Sequence, residues 1–234
     1  DSEGFETIYE VDREILRKTG RTVHTGRRLR ATVAKVNNNR TIQYGKSGLP
    51  TWYGGITQSL KWRIWEVRMH FTFQGGNYLY DAHEEQTSYV RSGNNVLRSS
   101  VIGNTWTPDN PAASLPKLTW NMRDNFVNAQ GEAAPQSLSS RTTRFLYRGD
   151  YARLKTLSVA CQMPAQLAKL LRIQSARLML SAQNLLTFTA YPGFDPEIMN
   201  TGPGTQGRNL SQGFIGQAPL PQVRTFMAGI QVVF

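Results

Sequence analysis

Gly202-Pro203-Gly204-Thr205-Gln206-Gly207 has the G-x-G-x-x-G spacing with which a backbone can cradle a pyrophosphate. That chemistry needs a buried strand before the glycines and a helix after them, so that the N–H groups of the helix start face the phosphates. Neither flanks this hexapeptide, which reads as a flexible loop. Gly45-Lys46-Ser47 resembles the end of a Walker A loop, but the first glycine of that motif would have to stand at position 40, which is Arg40. His24, His70 and His83 are scattered, with no i,i+4 pair and no carboxylate at ligand spacing, so no metal site is expected. Glu84 and Glu85 are adjacent and do not face one another on a helix. Cys161 is the single cysteine, which excludes an internal disulfide framework and a Cys-based zinc site and suits a small apolar strand residue. No catalytic residues, metal or cofactor are therefore expected, and the chain does not read as an enzyme.

If the chain does no chemistry, its polar residues must be placed for another purpose, and composition narrows which. The 234 residues carry 27 Lys+Arg against 16 Asp+Glu, a formal net charge of +11. Such a balance invites nucleic acid or an anionic surface as partner. The Arg-rich run Arg13–Arg30 is the strongest local case, yet it lacks interleaved aromatics and any nucleic-acid fold signature, so no nucleic-acid partner is expected. Mean hydropathy is −0.43, and no stretch reaches the roughly 18 consecutive apolar residues of a membrane helix. A β-barrel escapes that test, because only every second residue of its strands meets lipid. The chain opens at Asp1 without an initiator Met or a signal-peptide pattern, which fits a piece of a longer precursor.

The elements that would position the polar residues are strands of period two. In 65–74, Trp65, Val67, Met69, Phe71 and Phe73 share one face, and Glu66, Arg68, His70, Thr72 and Gln74 the other. Residues 52–62 set Ile56, Leu60 and Trp62 against Tyr53, Thr57, Ser59 and Lys61, with a join short enough for a hairpin. In 151–163 the parity of Ala152 and Leu154 differs from that of Leu157, Val159 and Cys161. A β-bulge near Lys155–Thr156 would repair the phase. Residues 175–188 alternate Ala176, Leu178, Leu180 and Ala182 with Arg177, Met179, Ser181 and Gln183. Residues 223–234 alternate as well, with Met227 and Val233 as apolar exceptions on the polar side.

Connections are alternately short and long. The joins inside 52–74 and 151–188 are short, the second holding a brief helix at 165–171, whereas 75–150 and 189–222 are long. That is the loop asymmetry of bacterial barrels, whose long loops lie outside the cell. Trp52, Trp62 and Trp65 near strand ends fit aromatic girdles at the membrane interface. In the long loops, 79–91 reads as a short helix and the proline-rich 106–118 cannot be one. A helical turn is expected around 11–18, and 33–44 reads as extended. Trp106, Trp120, Tyr191 and Phe194 are candidate ligand or lid contacts that would stack on a sugar ring or a covering protein. The competing and favoured reading is that they pack the loops themselves.

Several strings then become specific. LPTWYGGITQSLKW with VRMHFTFQGGNYLYD, WTPDNPAASLPKLTWN, RFLYRGDYARLKTLSVACQMP, LSAQNLLTFTAYPGFDPE and PQVRTFMAGIQVVF resemble, in order, the closing end of SusC/RagA-type TonB-dependent outer-membrane transporters. The resemblance covers most of 49–234, and residues 1–50 look like a variable external loop. Cys161 stands where a bulky residue is common, and Asp150 where a small polar one is usual.

The resemblance implies an all-β fold: about five C-terminal strands (52–62, 65–74, 151–163, 175–188 and 223–234) of an antiparallel transmembrane barrel of about 22 strands. Residues 51–234 would be the barrel segment, with the N-terminal plug lying elsewhere. It implies location in the outer membrane of a Bacteroidetes-type bacterium, in contact with lipid and lipopolysaccharide. It also implies import of glycans or oligopeptides with a SusD-like surface lipoprotein, powered by TonB through the plug. Glu66, Arg68, His70, Arg177 and Gln183 would face the lumen, and Phe234 would be the terminal aromatic read during barrel assembly. The competing class is a structural or secretion-associated barrel without import. Five strands leave two open edges, so the remainder of the barrel must come from the same protein or a second chain.

Overall fold

The computed structural model describes residues 2, 4–31, 33–41, 45–88, 97–118, 142–197, 213–215 and 220–234. The chain divides into two compact units, residues 1–45 with 81–146, and residues 46–80 with 147–234.

The first unit opens with an antiparallel pair, β1 (Thr7–Val11) and β2 (His24–Arg30). They bracket the helix α1 (Arg13–Thr19), so the basic run divides between a helix and a strand. Asp12 caps α1 by accepting the backbone N–H groups of Glu14 and Ile15 at 3.0 and 2.9 Å. Next comes α2 (Val33–Asn38), a helix where an extended segment was expected. Asn39 explains it: its Nδ2 donates to the Lys35 carbonyl at 2.7 Å while its Oδ1 accepts the Val11 N–H at 2.7 Å. That side chain closes the last helical turn and ties it to β1, outweighing weak local strand preference. The helix α3 (Ala82–Ser88) is also in this unit.

The second unit is built on five strands: β3 (Trp52–Trp62), β4 (Trp65–Gly75), β7 (Tyr151–Gln162), β8 (Ser175–Thr189) and β10 (Thr225–Val233). All neighbours are antiparallel, in the order β10-β8-β7-β4-β3. The sheet is a meander, each strand beside its sequence neighbour, with β3 and β10 at the edges. Arg63, at φ 53°, makes the tight β3–β4 turn. The β7–β8 connection holds the short helix α4 (Ala165–Leu170) behind Pro164. Short strands β5 (Tyr78–Asp81), β6 (Leu146–Arg148) and β9 (Phe214–Ile215) form a separate sheet in the order β6-β5-β9.

The helix expected to start at Leu79 therefore starts at Ala82. The backbone N–H of Tyr78 donates to the Ser47 carbonyl at 2.7 Å, and that of Tyr80 to the Gly213 carbonyl at 2.6 Å. These strand bonds claim the residues a helix would have used; residues 89–91 lie outside the described set.

Between β4 and β7 the register shifts between His70 and Phe71 on one side and Thr156 and Leu154 on the other, so Lys155 is the extra residue. The β7–β8 register shifts at the same level, and Asn184 there is left-handed at φ 52°. Once this bulge is counted, Ala152, Leu154, Leu157, Val159 and Cys161 share one face.

That face is apolar and turned outward: Ile56, Leu60, Leu180, Phe188, Phe226 and Ile230 are each at least half exposed. Trp52 closes it at one end, Trp62 and Trp65 at the other. The ten residue steps from Trp52 to Trp62 extend about 33 Å along the strand at ~3.3 Å each. At a tilt of ~40° they rise about 25 Å, the height of the apolar band of an outer-membrane barrel. No described helix is long and apolar enough to cross a membrane.

Candidate functional site

The opposite face of the sheet is where alternation puts the polar residues, and the ladder aligns them in rows. Lys61, Glu66, Ala160, Met179 and Gly229 form one row across the five strands. Ser59, Arg68, Ser158, Ser181 and Met227 form the next, followed by Thr57, His70, Thr156, Gln183 and Thr225. Arg177 lies on the same face one step beyond Met179, opposite Gln231. Glu66, Arg68, His70, Arg177 and Gln183 are thus brought onto one wall.

Glu66 and Arg177 form an ion pair of 2.7 Å that reaches over β7. Arg68 Nε donates to Ser59 Oγ at 3.3 Å, and Thr57 Oγ1 lies 2.9 Å from His70 Nδ1. Both partners of the ion pair are partly solvated, and such pairs add little stability. They leave a polar, basic surface over a shallow concavity of about 550 Å³.

A second cluster lies toward the opposite end of the same wall, and sequence reasoning missed it. Arg153 is 2% exposed and Asp195 5%. The Arg153 Nη2 meets Asp195 Oδ1 at 2.5 Å, and its Nη1 meets Glu197 Oε2 at 2.8 Å. Lys155 Nζ contacts both Glu197 oxygens at 2.8 and 2.9 Å and the Gln222 side-chain oxygen at 3.1 Å. Asp195 further accepts the backbone N–H of Glu197 at 2.9 Å and of Gln222 at 3.2 Å. One carboxylate thereby holds both feet of the long 190–222 loop to β7. A buried charge is tolerated only with such pairing. The cluster joins RLK in β7 to DPE in the loop, but no spacing in either names the other as partner.

The same end is tightened by Asp150, whose Oδ1 accepts the Gly76 N–H and whose Oδ2 pairs with Arg148, each at 2.7 Å. Thr189 Oγ1 donates to the Asp150 carbonyl at 2.8 Å and accepts from the Tyr191 N–H at 3.1 Å.

The loop aromatics separate. Tyr191 is buried with Leu79 and Ile215, its ring edge-on to Tyr147 at 5.8 Å. Trp106, in the first unit, lies against Gly4, where any Cβ would collide with the indole. Phe194 is 66% exposed, and Trp120 lies outside the described residues. Phe234 follows β10 and is 91% exposed.

A five-stranded antiparallel wall with one lipid-type face, one polar face and a loop pinned to the polar side invites comparison with barrels. No protein-family model matches the chain. It is 27% identical over 186 residues to TonB-dependent receptor P3 of Formosa agariphila, covering 79% of this chain and 16% of that protein. To TonB-dependent receptor P26 of the same organism it is 24% identical over 188 residues, covering 80% of this chain and 17% of that one. The solved RagAB peptide transporter superposes over all of the chain, with a TM-score of 0.63 and 26% identity, and 22% of that chain is covered. The chain resembles a segment of a SusC/RagA-type barrel. The RagAB peptide importer in its closed-closed state gives a TM-score of 0.60 at 25% identity, over 99% of this chain and 21% of that one. The chain spans about a sixth of the curated relatives it matches.

Proposed function

We propose that this SusC/RagA-type segment forms part of the wall and mouth of an outer-membrane importer driven through TonB. Its cargo is oligopeptides or glycans, received with a SusD-like lipoprotein covering the mouth. The observation that carries this reading is the pairing of an exposed apolar face with a polar, basic face on one sheet. Such a sheet needs an apolar phase on one side and water on the other, and in an outer-membrane barrel lipid and the aqueous interior supply them. Glu66, Arg68, His70, Arg177 and Gln183 line the interior in this reading, and the 190–222 loop stands at the outer mouth. Residues 1–50 lie outside the cell, and Phe234 is read during assembly. The remaining strands, the plug and the TonB contact come from the rest of the protein. Peptide cargo draws support from RagAB, which is a peptide importer.

The test is deletion of the gene for the whole protein in its own bacterium, with uptake of labelled oligopeptides and of labelled oligosaccharides measured with and without functional TonB. Import predicts that uptake of one cargo class falls in both the deletion strain and the TonB-deficient strain, and returns on complementation. Unchanged uptake of both classes after deletion would refute import and leave a scaffold barrel as the reading.

A further inference from the structure

At the end of the sheet closed by Trp62 and Trp65, both short connections carry arginine where the backbone favours glycine. Among the described residues three non-glycine positions have a left-handed backbone, Arg63, Arg172 and Asn184. Asparagine adopts that conformation readily, but arginine has no short polar side chain with which to offset its strain. Arg63 stands in the two-residue turn between Trp62 and Trp65, its guanidinium 5.4 Å from the centroid of the Trp62 ring. Arg172 ends α4 in the place glycine usually takes. Its N–H donates to the Lys169 carbonyl and that of Ile173 to the Ala168 carbonyl, each at 3.1 Å. The two turns are neighbours, since the Gln162 N–H at the end of β7 donates to the Ile64 carbonyl at 2.8 Å. Neither connection, 63–64 or 163–174, contains an Asp or Glu, so these cations have no acid within their own turns to pair with.

The helix between them is equally unsuited to water. Of the residues of α4 only Ala168 is buried, which is little packing to hold so short a helix. At about 100° per residue, Leu167, Leu170 and the following Leu171 fall on one side and Lys169 on the other. All three leucines are at least half exposed. α4 joins β7 to β8 directly after Cys161 and before Leu178, which are paired on the outward apolar face. We propose that α4 and the Arg63 turn form a foot seated in the periplasmic leaflet of the outer membrane, bound to anionic phospholipid headgroups. The leucines extend the apolar face among the acyl chains, level with Trp62 and Trp65, and Arg63, Lys169 and Arg172 hold the phosphates. An amphipathic helix with basic residues on its polar side is the form that lies in such an interface, and the strained arginines are then explained by what they bind. The inference rests on the reading that this sheet is a barrel wall whose short turns lie in the periplasm.

Two measurements on the full-length protein test the foot. A genetically encoded nitroxide at Leu170, in nanodiscs of phosphatidylethanolamine and phosphatidylglycerol, should be relaxed by oxygen and protected from an aqueous nickel chelate. The same probe at Leu60 reports on the wall itself. The double variant Arg63→Asn/Arg172→Asn puts a residue suited to the left-handed backbone at both turns, so its urea midpoint should hold or rise. Its affinity for phosphatidylglycerol, read by native mass spectrometry, should nevertheless fall by about five-fold for each charge removed, with retention of phosphatidylcholine unchanged. A Leu170 probe open to the nickel chelate, or shielded from both reagents by a covering protein, would overturn the foot while a lipid-exposed Leu60 leaves the wall standing. Unchanged phosphatidylglycerol affinity in the double variant would overturn the headgroup site. A Leu60 probe open to the nickel chelate would overturn the wall reading and the foot with it.

Discussion

Replacing Arg153 by methionine keeps an apolar stem of similar length but removes the guanidinium that neutralises Asp195 and Glu197. Removing one partner of a buried pair costs about 3–5 kcal/mol, because the other charge is left buried. Here the low end applies. Glu197 keeps Lys155 at 2.8 Å, and Asp195 keeps two backbone N–H donors, those of Glu197 and Gln222. A loss of about 3 kcal/mol makes local opening of the loop feet roughly 150-fold more frequent. Those two donors are also the reporters. Hydrogen exchange of the Glu197 and Gln222 amides, measured on the intact protein in detergent, should accelerate by that order while the amides of β4 hold their protection. Adding Asp195→Asn, which removes the stranded charge but keeps an acceptor, should restore part of the protection. Exchange at both amides within two-fold of wild type in Arg153→Met would refute the claim that this pair holds the loop.

Cysteines introduced at Leu60 or Leu180 should resist a water-soluble maleimide in the outer membrane, whereas cysteines at Ser59 or Ser181 should react. The native Cys161 belongs to the resistant face and needs no prior removal; equal labelling of both sets would sink the two-faced assignment. Asn184→Ala puts a residue that tolerates the left-handed backbone less well than asparagine at that position and loses the Nδ2 bond to the Val223 carbonyl at 3.1 Å. It should lower barrel stability by about 1–2 kcal/mol, read as the urea midpoint of refolding, and Asn184→Gly should recover most of the loss. Gly75→Ala drives a methyl into Trp52 and Asp150. It is expected to cost about 1–3 kcal/mol on the same assay. Glu66→Gln, at a partly solvated pair, should shift that midpoint by less than about 1 kcal/mol.

The sheet strands and their polar wall were legible because one physical rule, alternation across a half-buried sheet, covers every residue in them. The broken parity between Leu154 and Leu157 even placed the bulge near Lys155–Thr156, and the register puts it at Lys155. What the sequence withheld was long-range. Arg153 and Asp195 stand 42 positions apart, and nothing periodic links a strand residue to the loop residue it will meet. Val33–Asn38 and Leu79–Asp81 were misread for the related reason that distant partners, Asn39 with Val11 in one case and Ser47 and Gly213 in the other, decide short segments of weak preference. Among the loop aromatics, residue type gave no means of separating the buried Tyr191 from the exposed Phe194.

The extra residue at Lys155 has a bearing on how this wall tolerates insertion and deletion. Strict alternation counted from Leu157, Val159 and Cys161 would put Arg153 on the outward face, and only the bulge turns it inward to Asp195. Excising that one residue would point the guanidinium at lipid and swing Ala152 and Leu154 into the interior. An arginine facing lipid costs about 2–4 kcal/mol at the mid-plane and less toward the end of the strand where Arg153 stands, and the stranded carboxylates would add to it. A one-residue deletion at Lys155 should therefore do more harm than any single substitution on β7, whereas a two-residue change would preserve the parity. The bulge makes strand length at this level a determinant of the wall's two faces in its own right, independent of which side chains occupy it.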